Sequence, residues 1–330
     1  MAPYNVLVVT NLWPSEADAS YGSFVQAQME SLRPLGVNYD TIFINGRDAK
    51  WNYLRGIRQV RRQIGKKRYD LIHAHFGLSG WVARFQFRVP LVVSFLGDDV
   101  LGRYTRTGRV SLLGRILPVS SYVLARCASA VIVKSPGMRA RLGLASAEVI
   151  PNGVDLELFA PRDRAEARRR LGLDEGKKYV LFPFDRAIQN KRYDLVEQAV
   201  ARARAEIPAL EILEVSRAPR AAMPDYMNAA DMLVLVSHSE GSPNAVKEAM
   251  ATNLPVVAAN VGDVANVVEG VDGCHLVTRD ADDIAARIVD VCRRDARTRG
   301  REKVASLAMN LVAARVVAVY EKVLGRKPAS

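Results

Sequence analysis

The sequence predicts an α/β protein made of two parallel-sheet, Rossmann-like units. Three observations predict it. Short apolar runs of strand length alternate with helical patterns along the whole chain. The runs fall into two series, separated by a turn-rich segment. The 330 residues, 49% of them hydrophobic, are enough to bury two cores.

The first series reads YNVLVVT, YDTIFI, DLIHAH, PLVVSF and SAVIVK; the second reads KYVLFPF, LEILEV, MLVLVS, PVVAAN and CHLV. The join is the stretch Val149 to Pro161, where Pro151, Asn152, Gly153 and Pro161 are turn formers. The expected units are residues 1–155 and 156–310. A final segment, Leu311 to Leu324, has helical apolar spacing. In open parallel sheets ligands sit beyond the C-terminal strand ends. The loops that follow strands are therefore where chemistry is expected.

Composition narrows the classes. No run of eighteen apolar residues exists, so no membrane span is expected. The N-terminus lacks a basic region and cleavage site, so no signal peptide is expected. Cys127, Cys274 and Cys292 lie far apart, which favours a reducing, cytoplasmic setting. With four histidines, none in a ligand-spaced cluster with Cys, the chain offers no evident metal site and no cofactor is expected. The net charge is +12, of which residues 1–155 carry +10. A basic first half suits an anionic partner, such as a membrane surface or an anionic glycan. Nucleic acid is not expected, because the basic residues are not interleaved with aromatics as stacking platforms require.

The segment Ser239 to Asn253 (SEGSPNAVKEAMATN) is the most informative. Glu240 falls in the loop before a short helix, Gly241 and Ser242 follow it, and Pro243 and Asn244 open the helix. Glu248 lies about one turn inside. A helix N-terminus offers free N–H groups and a positive dipole end, which suits phosphate. Carboxylates beside it suit the hydroxyls of a nucleotide-sugar. Taken separately, EAMA is a good helix and PVVA a buried strand. Glu240, Glu248, EAMA (Glu248 to Ala251) and PVVA (Pro255 to Ala258), in register, resemble retaining glycosyltransferases of family 4, which have the GT-B fold. IPNGVD at the join is similar to them too. The resemblance implies two Rossmann-like domains facing across a cleft, with the last helix (residues 311–330) crossing back to the first. It implies that Glu248 holds ribose while Glu240 and nearby N–H groups hold the sugar.

Further loops fit that resemblance. Arg186 and Lys191 follow the strand KYVLFPF and would clamp a departing diphosphate, with ordinary surface cations as the alternative. Asp185 stands where the family usually has Gly, and is expected to point away or to grip a hydroxyl. Gly22 either lets backbone approach the donor or starts a helix. His73 and His75 share one strand face; His73 fits a hydrogen-bonded core residue, and His75, nearer the strand end, is where the family touches the transferred sugar. Asp98 and Asp99 either orient an acceptor hydroxyl or cap a helix. The base pocket is expected near Val215 to Arg217. Asp280-Ala281-Asp282 reads as a helix cap rather than a metal signature. In residues 50–69, Trp51, Leu54, Ile57, Val60 and Ile64 form a helical stripe expected to cover the sheet, leaving Arg58, Arg61 and Arg62 free for anionic lipid.

Together these imply a cytoplasmic, retaining, metal-independent hexosyltransferase, peripheral at the inner membrane face. It would move a sugar from a nucleotide-sugar, expected to be a UDP-sugar, to a glycan or lipid-linked acceptor of polysaccharide biosynthesis. A sugar-nucleotide epimerase or hydrolase on the same fold, and a catalytically silent basic membrane-binding protein, are the alternatives.

Overall fold

The computed structural model describes residues 3–16, 18–105, 108–110, 112–216 and 218–326, apart from the side chains of residues 112 and 113. The chain divides into two compact units. The first takes residues 1–103, 110–152 and 309–330; the second takes 104–109 and 153–308.

In the first unit the strands are β1 (Tyr4–Thr10), β2 (Val37–Phe43), β3 (Leu71–His75), β4 (Leu91–Ser94), β5 (Ala130–Val133) and β6 (Glu148–Val149). They form one sheet in the order β2-β1-β3-β4-β5-β6, and each neighbouring pair is parallel. β6 was not expected. Its two residues lie just where turn formers begin, and so short a strand carries no periodic signal. Helices cover both faces, so both faces are apolar. Along β1, Leu7 and Val9 enter one core while Tyr4, Val6 and Val8 enter the other. The second core is completed by the helix Met309–Leu324, through Val312, Val316, Val319 and Tyr320.

The second unit has β7 (Lys178–Phe182), β8 (Leu210–Glu214), β9 (Met232–Leu235), β10 (Val256–Ala259) and β11 (His275–Val277), in the order β11-β10-β9-β7-β8, again parallel. Tyr179 and Leu181 of β7 face one core; Val180 and Phe182 face the other. At the N-terminal end of β7, Asp231 is buried. It accepts from Arg168 at 2.7 Å, from Arg164 at 2.9 Å and from the Tyr179 amide at 2.6 Å. Asp280 caps the helix Ala281–Arg294 through the amides of Asp282 and Asp283, the role its spacing suggested.

One expectation is corrected. The stripe on the helix Asn52–Lys66 does not all cover the sheet. Val60 is buried and Ile57 and Ile64 pack on the core, but Trp51 is 72% and Leu54 54% exposed. The helix meets its neighbour at Gly56, where Val82 and Ile44 approach closely. The turn that precedes this contact extends beyond the packed layer and faces water.

Candidate functional site

The site in the second unit is assembled from loops after β7, β9 and β10. After β7 the chain makes a 3-10 turn, Gln189–Lys191. It is laced to the end of β9: the His238 amide donates to the Asn190 carbonyl and Asn190 Nδ2 to the Ser239 carbonyl, both at 2.9 Å. Arg279 donates to the carbonyls of Ser237 and His238 from the other side. This lacing brings Lys191 to Glu240, with Nζ 2.5 Å from the carboxylate and 4.0 Å from the centre of the Phe184 ring. Both side chains are mostly buried.

Gly241, Ser242 and Pro243 are buried and lead into the helix Asn244–Ala251. Pro243 caps that helix without a side-chain hydrogen bond. Its first amides thus remain without a side-chain capping acceptor. Glu248, one turn in, pairs with Arg220 at 2.6 Å. Arg186 is not gathered with Lys191 and Glu240. Its Nε donates to Glu214 at the end of β8 at 2.6 Å, and the guanidinium lies over the Tyr193 ring. The two cations expected to act together are thus held apart, Lys191 on Glu240 and Arg186 on Glu214. Asp185 does turn inward on its own loop, accepting from the Ala187 amide. Of the expected base pocket, Val215 is buried and Arg217 lies outside the described residues.

In the first unit His73 and His75 share a strand face, with ring centres 4.1 Å apart. His73 is the core residue expected, bonded to the Tyr320 hydroxyl at 2.6 Å and to Ser94 Oγ at 2.8 Å. Its pKa is pushed down to about 3 by burial and the Lys134 charge. His75 is fully buried too, and neither ring nitrogen meets a hydrogen-bond partner among the described residues. Burial, then the His73 and Lys134 charges, hold it well below the usual histidine range, so the ring is neutral at pH 7. The next residue, Phe76, has φ 79°, a conformation rare for a side-chain-bearing residue.

Asp99 is buried and accepts from the amides of Gly77, Leu96 and Gly97. Burial raises its pKa to about 6 against those three bonds. This carboxylate joins the loops after β3 and β4 and is engaged by backbone, in place of the acceptor-facing role considered for it. Asp98 is partly exposed and lies 3.8 Å from Arg103. Gly22 starts the helix Ser23–Ser31 at φ 74°; a Cβ there would stand 2.2 Å from the Leu12 carbonyl carbon. Only glycine allows that approach.

Residues 2–158 match the family described as glycosyltransferase family 4, and residues 188–294 match glycosyl transferases group 1. The chain belongs to glycosyltransferase family 4. It is 32% identical over 274 residues to a D-inositol 3-phosphate glycosyltransferase of Geodermatophilus obscurus, covering 68% of this chain and 60% of that protein. Among solved structures, sucrose-phosphate synthase from Thermosynechococcus elongatus superposes with a TM-score of 0.81 at 21% identity, over 98% of this chain and 99% of that one. Anabaena HepE, solved with UDP and glucose, superposes at 0.65 with 20% identity, over 98% of each chain. The two parallel-sheet units are those of the GT-B fold.

Several residues of this family 4 site escaped the sequence reading. Arg220 and Glu214 are partners of Glu248 and Arg186 that no local pattern marks. Lys247 reads as a surface lysine of a helix, yet it is fully buried and 2.9 Å from Asp263. One signal was available: apart from Asn244 and Glu248 the rest of this helix is Ala, Val and Met, and a lysine buried with them has to find a counter-charge. Among the described residues no cluster of three or more His, Cys, Asp or Glu is placed to hold a metal.

Proposed function

We propose that this family 4 chain transfers a sugar, with retention, from a UDP-sugar to a glycan or lipid-linked acceptor, without a divalent metal. The observation that carries the reading is the Lys191–Glu240 pair at the entry to the buried Asn244–Ala251 helix, with Glu248 one turn further on. A cation, free helix amides and two carboxylates match a ligand with a diphosphate and two sets of hydroxyls. HepE, a protein of this fold solved with UDP and glucose, supports the UDP donor.

In the reaction the bond from the anomeric carbon to the β-phosphate oxygen breaks. The acceptor oxygen forms its bond on the same face, and its proton passes to the departing phosphate. Negative charge grows on that phosphate. Lys191, the helix amides and Arg186, once released from Glu214, are the groups of this chain suited to stabilise it. Glu248 accepts from ribose and Glu240 from the sugar.

Thermal-shift titration with UDP, GDP, ADP and UDP-glucose tests the donor, since a ligand that binds only the native state raises the midpoint. UDP and UDP-glucose are expected to raise it in the wild type and not in Lys191→Ala. Product analysis with and without acceptor separates transfer from epimerisation or hydrolysis. Loss of transfer in EDTA, restored by Mg²⁺, would overturn metal independence.

The acceptor side is read from charge and exposure. From Ala49 to Ala147 the chain has eighteen Lys or Arg and three acidic residues, Asp70, Asp98 and Asp99. Trp51 and Phe87 are more than 70% exposed, and Ile116 and Val119 of the helix Leu112–Cys127 more than half. Aromatic and aliphatic side chains among arginines suit the interface of an anionic membrane. No helix among the described residues is long and apolar enough to cross one. Co-sedimentation with phosphatidylglycerol vesicles should exceed that with phosphatidylcholine and fall with salt. Equal recovery on both at low salt would remove the membrane from the reading.

A further inference from the structure

We propose that Lys247 and Asp263 are positioning residues: a buried ion pair that, through the Ser242 hydroxyl, fixes where the Glu240 loop stands. Lys247 lies on the helix Asn244–Ala251, directly before Glu248, and its side chain is wholly buried. Asp263 follows β10 at the start of the helix Val264–Val268. In that position an Asp usually caps the helix with its own carboxylate. Here it makes no capping bond. It turns instead to Lys247, with Nζ 2.9 Å from Oδ2. Ser242 Oγ donates to the same oxygen at 2.9 Å and accepts from Lys247 Nζ. One hydroxyl of the donor loop is thus held by both members of the pair.

A second observation points the same way. Gly262, beside Asp263, has φ 62°, and a Cβ there would stand 2.7 Å from the Gly241 carbonyl oxygen and 3.0 Å from that of Glu240. The backbone after β10 therefore presses directly on the carbonyls of the two residues before Ser242. The loop is gripped from below by Asp263 and Lys247 and at its side by Gly262, while Lys191 holds the Glu240 carboxylate.

The chemistry explains why an ion pair stands here. Burying a lysine and an aspartate costs desolvation that apolar residues would avoid, so the pair is a weak source of stability. Burial lowers the Lys247 pKa, and Asp263, Glu248 and Glu240 oppose that shift. What the pair adds is direction: two charges and a hydroxyl satisfy one another in a single arrangement. Successive residues on a helix point about 100° apart. With Lys247 fixed on Ser242 and Asp263, the neighbouring Glu248 is turned toward Arg220. The pair thus sets the loop and the rotation of the helix together.

The inference rests on the donor reading above, and its test separates the two. Ser242→Ala cuts the tether, and the double variant Lys247→Met/Asp263→Leu replaces the pair by apolar side chains. Amide hydrogen exchange of residues 239–245 is read in the ligand-free protein, and UDP-glucose turnover and UDP affinity are read alongside. Both variants should keep a cooperative melt, exchange faster across this segment alone, and lower kcat about tenfold to a hundredfold. UDP affinity should stay within about twofold in Ser242→Ala, where the direct Lys247–Asp263 contact still orients the helix, and should fall in the double variant, where Glu248 is no longer held in place. A folded Ser242→Ala protein with wild-type exchange and wild-type kcat would overturn the proposal, and it decides the matter if the double variant does not fold. If the wild type neither binds UDP nor consumes UDP-glucose, the donor reading falls, and the exchange result still decides whether the pair holds the loop.

Discussion

Lowering the pH from 7 to 5 should destabilise the first unit through its two buried histidines. In the native state His73 titrates at about 3 and His75 well below its ordinary 6.5, both chiefly because burial disfavours the charged ring. The unfolded chain binds a proton at each as the pH drops through about 6.5, and the native state does not. Native pKa values below the unfolded ones, for a base, mean stability that is present above 6.5 and lost below it. Between pH 7 and 5 the loss is about 2 kcal/mol for each ring. Asp99 acts oppositely: its native pKa is raised to about 6, so the folded state takes up a proton over this window and gains about 1 kcal/mol. The net loss is about 2 to 3 kcal/mol, or roughly 5–10 °C in melting midpoint for a unit of this size. All three tryptophans, Trp13, Trp51 and Trp81, lie in the first unit, so tryptophan fluorescence reports on it alone. Thermal melts at pH 7, 6 and 5 should show the shift, and His75→Gln should remove about two-thirds of it, because the opposing Asp99 gain remains. A wild-type midpoint that is flat from pH 7 to 5, or an unchanged slope in His75→Gln, would refute the burial argument.

Three other outcomes are expected. Asp231→Ala leaves Arg168 buried without its counter-charge and should cost about 3–5 kcal/mol, measured by calorimetry of the second transition; a loss below about 1 kcal/mol would show that water reaches the arginine. Gly262→Ala forces a Cβ into the Gly241 carbonyl at positive φ and should lower UDP-glucose turnover about tenfold, with wild-type turnover as the contrary result. Glu214→Gln frees Arg186 and should tighten UDP binding in calorimetric titration; weaker or unchanged binding would leave Arg186 as a surface partner of Glu214.

The strands were legible because parallel strands covered on both faces are written as continuous apolar runs, as in β1 and β9. The Glu240 to Glu248 segment was legible because loop, helix start and carboxylates are adjacent in sequence. What was not legible is pairing across distance. Nothing local tells that Glu248 meets Arg220, that Arg186 leans on Glu214, or that Lys247 finds Asp263, for each joins elements far apart in sequence. Asp99 was ambiguous for the same reason: its partners are three backbone amides on two loops. The helix Asn52–Lys66 shows the limit of periodicity. Its pattern marks the side that can be buried, but not how far the neighbouring layer extends, so Trp51 and Leu54 were placed inside when they face water.

The helix Met309–Leu324 gives the first unit a particular place in the chain's biosynthesis. Tyr320 bonds to His73 and packs beside Tyr4, while Val312, Val316 and Val319 close the core beneath β1, β3, β4 and β5. Domains generally fold in the order they leave the ribosome. Here the strands of the first unit emerge first but wait for the helix Met309–Leu324 before their second core is shut. The intervening stretch from 153 to 308 carries all the strands of the second unit and has them available earlier. Until that helix has emerged, the nascent first sheet presents Val6, Val8, Leu71, Val92 and Ile132 covered only in part, by Met29 and Leu32. A chain stopped short of residue 309 would keep that apolar face open, and is a substrate for chaperones and proteases rather than a half-enzyme.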